Sequence, residues 1–154
     1  MYENCVSFTG HRSAPFSLSK SLDNVIEQLY QQGYTTFLSG MALGFDMLAA
    51  EAVLRAKANH HDIKLVAVLP MPEQAARFSK ESKIRHETIL QQADQKIITS
   101  QSFTNYGVYH IRNRYLVEHC SILVSYYDGT PGGTQKTIEF ARKIGRKIIN
   151  ITLE

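Results

Sequence analysis

The chain has 154 residues, of which 44% are hydrophobic and 20% charged, the size and composition of one globular domain rather than of a fibre or a disordered segment. Seventeen Lys and Arg against fourteen Asp and Glu leave a formal net charge of +3, too mild to argue for a nucleic-acid partner, so any anion preference must be local. Two distant cysteines, Cys5 and Cys120, fit neither a zinc spacing nor a secreted disulfide framework, which points to a reducing compartment.

Cys5-Val6-Ser7-Phe8 is a short β-prone run that stops at Thr9-Gly10, which predicts a first strand ending in a turn. After Pro15, Ser17 or Ser19 can cap a helix in which Leu18, Leu22, Val25, Ile26 and Leu29 keep the 3.6-residue period until Gly33 ends it. Thr35 to Leu38 reads as a strand, Ser39 to Asp46 as a glycine-bearing turn, and Met47 to Ala58 as an alanine-rich helix. Ile63 to Leu69 is almost continuously apolar, the composition of a strand covered on both faces. A helix near Ala76 to Ala93, a strand Lys96 to Thr99, a polar loop Ser100 to Tyr106, a helix near Tyr109 to His119 and a strand Ile122 to Tyr126 follow. Thr134 to Ile144 makes the last helix, stopped by Gly145, and Lys147 to Ile151 the last strand.

Strands alternating with helices predict a single doubly wound α/β domain over residues 1–154, its sheet mostly parallel, with helices on both faces and right-handed crossovers. The N-terminus lacks the basic start and apolar stretch of a signal peptide, and Leu65 to Leu69 is too short to span a bilayer. A soluble cytoplasmic protein without a membrane partner is expected.

In such sheets ligands bind beyond the carboxyl ends of the strands, where helix N-termini present free N–H groups. The most informative of these loops is Asp128-Gly129-Thr130-Pro131-Gly132-Gly133-Thr134. Gly132 and Gly133 permit close backbone approach and Thr134 opens a helix, a phosphate cradle in outline; a tight capped turn is the plainer alternative. Neither G-x-G-x-x-G nor G-x-x-x-x-G-K-[ST] occurs, which disfavours standard NAD binding and P-loop hydrolysis.

Ser39, Gly40 and Gly44 frame a second turn, with Asp46 placed to cap the next helix or to accept from ribose hydroxyls. Thr9, Gly10, His11 and Arg12 follow the first strand, and a guanidinium there suits bidentate phosphate binding. Arg112 and Arg114 lie on different faces of one helix, so one of them is available to a cleft. Glu139, five residues after Thr134, is a carboxylate expected to reach a ligand at the helix start.

The six histidines show no H-E-x-x-H or Cys/His spacing, and neither a metal nor a cofactor is expected. Ser39 lacks the G-x-S-x-G elbow of serine hydrolases. Arg77, Lys80, Lys83 and Arg85 alternate with Glu81 and Glu87 as a solvated face would. Phe45, Tyr106, Tyr126 and Tyr127 are the aromatics placed to stack on a base, or to pack in the core.

Thr9-Gly10-His11-Arg12, Ser39-Gly40-Met41-Ala42-Leu43-Gly44-Phe45-Asp46, Arg112-Asn113, Tyr127-Asp128-Gly129 and Gly132-Gly133-Thr134, in that order, resemble the YpsA-like branch of the SLOG superfamily over essentially the whole chain. The resemblance implies a Rossmann-like fold that binds nucleotides or nucleotide-derived ligands. The superfamily also contains the lonely-guy phosphoribohydrolases, whose loop reads P-G-G-x-G-T-x-x-E. Pro131-Gly132-Gly133 and Glu139 match it in spacing, while Gln135 and Lys136 replace its glycine and threonine.

From this the expected role is a nucleotide-ligand sensor or regulator, with a nucleotide-like small molecule as partner. If the protein is an enzyme, it resembles a nucleoside 5′-monophosphate phosphoribohydrolase, with Glu139 activating water or stabilising an oxocarbenium-like ribose and Arg112 orienting it. Resemblance to the DprA recombination mediators adds single-stranded DNA binding as a third reading, against which the near-neutral charge counts. The hydrolase relatives are typically dimers, which leaves self-association open.

Overall fold

A computed structural model describes residues 2–152. Six strands, β1 (Cys5–Gly10), β2 (Thr36–Ser39), β3 (Lys64–Leu69), β4 (Gln95–Ile98), β5 (Ile122–Tyr126) and β6 (Lys147–Asn150), form one sheet in the order β4-β3-β2-β1-β5-β6. All five pairings are parallel. The helices are α1 (Ser19–Gln31), preceded by a 3-10 turn at Phe16–Leu18, α2 (Phe45–Asn59), α3 (Lys80–Gln92), α4 (Gly107–Glu118) and α5 (Gly133–Lys143). The Rossmann-like α/β architecture expected from the alternation is the one observed.

Side-chain alternation divides the strands between two helical layers. Val6 and Phe8 of β1, with Ile122 and Val124 opposite them on β5, point into a core shared with Leu22 and Ile26 of α1, Ala49 and Val53 of α2 and Ile89 of α3. The intervening residues face α4 and α5: Leu123 packs on Val117 and Ile138, and the buried Ser7 hydroxyl donates to the Leu116 carbonyl at 2.7 Å. Phe8, Phe37 and Phe45 are fully buried, each contributing about 1.5–3 kcal/mol of hydrophobic stabilisation.

One expected element is shortened. The helix anticipated from Ala76 begins only at Lys80, because successive turns close at 71–78 (Gln74 N to Met71 O, Ala76 N to Glu73 O, Phe78 N to Ala75 O). Ser79 then caps α3 by accepting from the Ser82 N–H at 3.2 Å. Another correction concerns Arg85, which is not wholly solvated: it is partly buried and forks onto Glu51 of α2 through Nε at 2.9 Å.

From β1 the chain winds outward through β2 and β3 to β4, then crosses to β5 and winds the other way. The neighbours β1 and β5 are therefore the topological switch point, where the connections leave in opposite directions and open a crevice at the strands' carboxyl ends.

Candidate functional site

Two glycines lock the first two loops together. The Phe45 N–H donates to His11 O at 3.1 Å and the His11 N–H to Tyr126 O at 3.3 Å, stitching the end of β1 to α2 and β5. A Cβ on Gly10 would lie 2.5 Å from the Phe45 ring. Gly44, at φ +86°, leaves no room either: its Cβ would meet the Arg12 carbonyl oxygen at 2.3 Å.

Beneath this junction runs a buried polar network. The Ser39 hydroxyl donates to Asp46 O at 2.8 Å and accepts from Met41 N at 3.2 Å, which holds Met41 at φ +61°. Gly40 O accepts from Arg112 Nη1 at 2.5 Å and from Gln74 Nε2 at 2.9 Å. Because the Gln74 amide nitrogen faces Gly40, its Oε1 faces His86 Nε2 at 2.9 Å, so that ring nitrogen carries the proton. Burial lowers the His86 pKa, in keeping with a neutral ring.

Asp46 is buried, its Oδ2 accepting from Ala42 N at 3.4 Å. Burial pushes its pKa up to about 6, against the opposing attraction of Arg112. Arg112 is only 5% exposed; its Nε donates to Asn113 Oδ1 at 2.8 Å, and its Nη2 has no hydrogen-bond partner among the described residues.

The third wall is the loop before α5. His11 Nε2 lies 3.0 Å from Asp128 N and 2.9 Å from Asp128 Oδ1. The same oxygen accepts from the Thr130 hydroxyl at 2.6 Å and the Thr130 N–H at 3.0 Å, contacts that hold the Asp128 carboxyl below its usual range. Gly129 and Gly132 have φ of +94° and +148° and bend the loop into the helix. No side chain caps α5, so its first N–H groups point outward unmatched by intrahelical carbonyls.

These walls enclose a hollow of about 430 Å³. Thr9 lines it from β1 and His11 and Arg12 from the loop that follows, Ala42 and Leu43 from the second loop, and Gly132, Gly133 and Thr134 from the start of α5 and the residue before it. Gln74 and Phe78 close one side, and α4 with its preceding residue contributes Tyr106, Tyr109, Arg112 and Asn113.

Seven of the residues singled out in the sequence thus line one hollow: Thr9, His11, Arg12, Arg112, Gly132, Gly133 and Thr134. Ser39, Gly40 and Asp46 are buried beneath it as supports, and Gly10 and Gly44 act through close packing. Asp128 is exposed and touches His11. Glu139 is exposed on α5 and outside the lining. Of the candidate stacking aromatics Tyr106 lines the hollow, whereas Phe45 is core. Gln74, Phe78, Tyr109 and Asn113 carried no sequence signal of their own; only Asn113, beside Arg112 in the family pattern, had been within reach.

No helix among the described residues is long and apolar enough to cross a membrane. Over 135 residues the chain is 30% identical to a UPF0398 protein of Halalkalibacterium halodurans, covering 86% of this chain and 71% of that one. It is also 30% identical over 139 residues to the SPbeta prophage-derived protein YoqJ of Bacillus subtilis, covering 82% and 81%. Among solved structures, DprA from Helicobacter pylori, described as binding single-stranded DNA, matches with a TM-score of 0.73 at 17% identity over 97% of this chain. DprA from Streptococcus pneumoniae matches with a TM-score of 0.72 at 20% identity over 99% of this chain. The chain spans 66% and 51% of those two proteins, and what it shares with them is the fold.

The expectation against nucleic acid rested on net charge alone and finds no support here. A whole-chain sum does not measure the charge at one cleft. The YpsA family model, described as the YspA SLOG family, matches residues 2–149, and the chain belongs to that family.

Proposed function

We propose that the protein binds a nucleotide or nucleotide-derived ligand in the hollow at the carboxyl edge of the sheet, as a sensor or regulator. The observation that carries this reading is Arg112: a guanidinium nine-tenths buried, whose Nε and Nη1 are hydrogen-bonded and whose Nη2, unpartnered among the described residues, is not buried, lines the same hollow as the uncapped start of α5. A buried cation and a helix N-terminus bordering one space favour an anion there. Leu43, Phe78, Tyr106 and Tyr109 supply apolar lining for a ring system, and pockets of about 300–1,000 Å³ suit small ligands. Arg12, exposed at the rim, is free to close on a phosphate.

Binding without hydrolysis is favoured because no Asp or Glu is among the residues lining the hollow. An N-glycosidase needs a carboxylate at the ribose, and Glu139 stands outside. The test is titration with nucleoside 5′-monophosphates and the matching nucleosides. Arg12→Ala and Thr134→Ala weaken binding of the monophosphates and leave the nucleosides unaffected; equal loss for both ligand types contradicts the reading. Chromatography of the incubated nucleotides returns them intact, whereas base release lost in Glu139→Ala would establish the hydrolase.

A second reading, single-stranded nucleic acid, is favoured by an exposed aromatic cluster at the mouth. Phe103 and Tyr106 are 43% and 75% exposed, their ring centroids 5.4 Å apart, with Tyr109 alongside. Filter binding with a salt titration checks it, since phosphate contacts give a steep salt slope.

A further inference from the structure

A second concavity of about 250 Å³ lies between α4 and α5, lined by His110, Asn113, Arg114, Lys136, Thr137 and Phe140. It shares Asn113 with the main hollow, and both spaces are lined by α4 and the start of α5: Gly133 and Thr134 line the hollow, Lys136 and Thr137 the groove. We infer that this groove is a second phosphate subsite, so that the ligand carries at least two phosphates; the inference rests on the main hollow taking the first.

The groove offers cations and donors without a competing carboxylate. None of its lining residues is acidic, and His110, Arg114 and Lys136 form no ion pair among the described residues. Three other helical cations are matched, Arg55 with Asp23, Lys57 with Asp94 and Arg85 with Glu51, whereas Lys20, Lys80, Lys83, Arg142 and Lys143 have no ion pair among the described residues, so what sets Arg114 and Lys136 apart is that they share a concavity. The Arg114 guanidinium is held 4.3 Å over the Phe140 ring, which orders it beside the groove. Asn113 Oδ1 already accepts from Arg112 Nε, which leaves the Nδ2 as an uncommitted donor among the described residues. Arg114 and Lys136 bring two cations to one concavity, and an anion between them is attracted to both.

The chemistry recognised is a pair of linked phosphates, supplied either by a nucleoside diphosphate or by the backbone of a short single strand. The test uses nucleoside 5′-monophosphates and 5′-diphosphates of the four common bases and a mixed-sequence single-stranded pentanucleotide. Each is titrated against the full chain and against the double variant Arg114→Gln, Lys136→Gln, which removes both charges and keeps polar side chains in their place. A ligand with two phosphates binds roughly tenfold tighter than the monophosphate, and the double variant abolishes that gain while binding the monophosphate as before. A gain with the diphosphate identifies a pyrophosphate ligand; a gain confined to the pentanucleotide identifies a strand, whose salt slope then falls by about 0.7 for each cation removed. Equal affinity for one and two phosphates, or a gain that survives in the variant, overturns the groove and leaves the hollow standing. Failure of every probe to bind removes both.

Discussion

Arg112 and Gly40 occupy the same few ångströms: Nη1 of the guanidinium donates to the Gly40 carbonyl at 2.5 Å, and a Cβ on residue 40 would sit 2.8 Å from that nitrogen. The same Cβ would lie 2.9 Å from Asp46 Oδ2. Glycine here is a matter of space, with nothing unusual in its φ. Gly40→Ala must displace a buried guanidinium or a buried carboxylate, and about 1–3 kcal/mol of stability goes with it. Urea unfolding measures the loss, and titration with a nucleoside 5′-monophosphate shows weakened binding in the protein that remains folded.

Asp46 makes stability depend on pH in an unusual direction. Its ordinary pKa of 3.8 rises to about 6 on folding because burial outweighs the pull of Arg112. Below the lower value the carboxyl is protonated in both states and its contribution is fully present. Between the two values the folded protein keeps a proton that the unfolded chain has released, so raising pH through that window removes up to about 3 kcal/mol from this group. Asp46→Asn flattens this component in denaturant midpoints taken across the window. Arg112→Gln removes the opposing attraction and moves the Asp46 titration higher, which carboxyl-carbon NMR reads directly.

Gly44 and Gly129 both have positive φ, +86° and +94°, yet their substitution costs differ. Around Gly129 nothing lies within 4 Å of an added Cβ, whereas at Gly44 the Arg12 carbonyl oxygen is 2.3 Å away. Gly129→Ala therefore costs only the backbone strain, about 1–2 kcal/mol, and Gly44→Ala about 3 kcal/mol or more because the loop bearing Arg12 must move as well. Thermal unfolding of the two variants side by side shows the larger drop for Gly44→Ala.

The fold was legible because each strand and helix carries its own period. Ile122 to Tyr126 is found with the expected boundaries, since a strand buried on both faces reads as an unbroken β-prone run. The turns at 71–78 were not legible, because Ala75, Ala76 and Arg77 are good helix formers. What stands against a helix there is tertiary, Gln74 reaching across to the Gly40 carbonyl. Glu139 shows a limit of spacing arguments: five residues turn a helix through about 500°, which sets its side chain about 140° away from Thr134. Burial of Gln74 and His86 follows from packing between distant segments, and no local pattern announces it.

The measurement that bears most directly on the whole account is a titration of the isotopically labelled protein with a nucleoside 5′-monophosphate, followed by amide NMR. The account predicts saturable shifts concentrated at residues 9–12, 40–43 and 132–134, and their loss in Arg112→Gln. Saturable shifts centred elsewhere on the surface, or unchanged spectra at millimolar ligand, would contradict it.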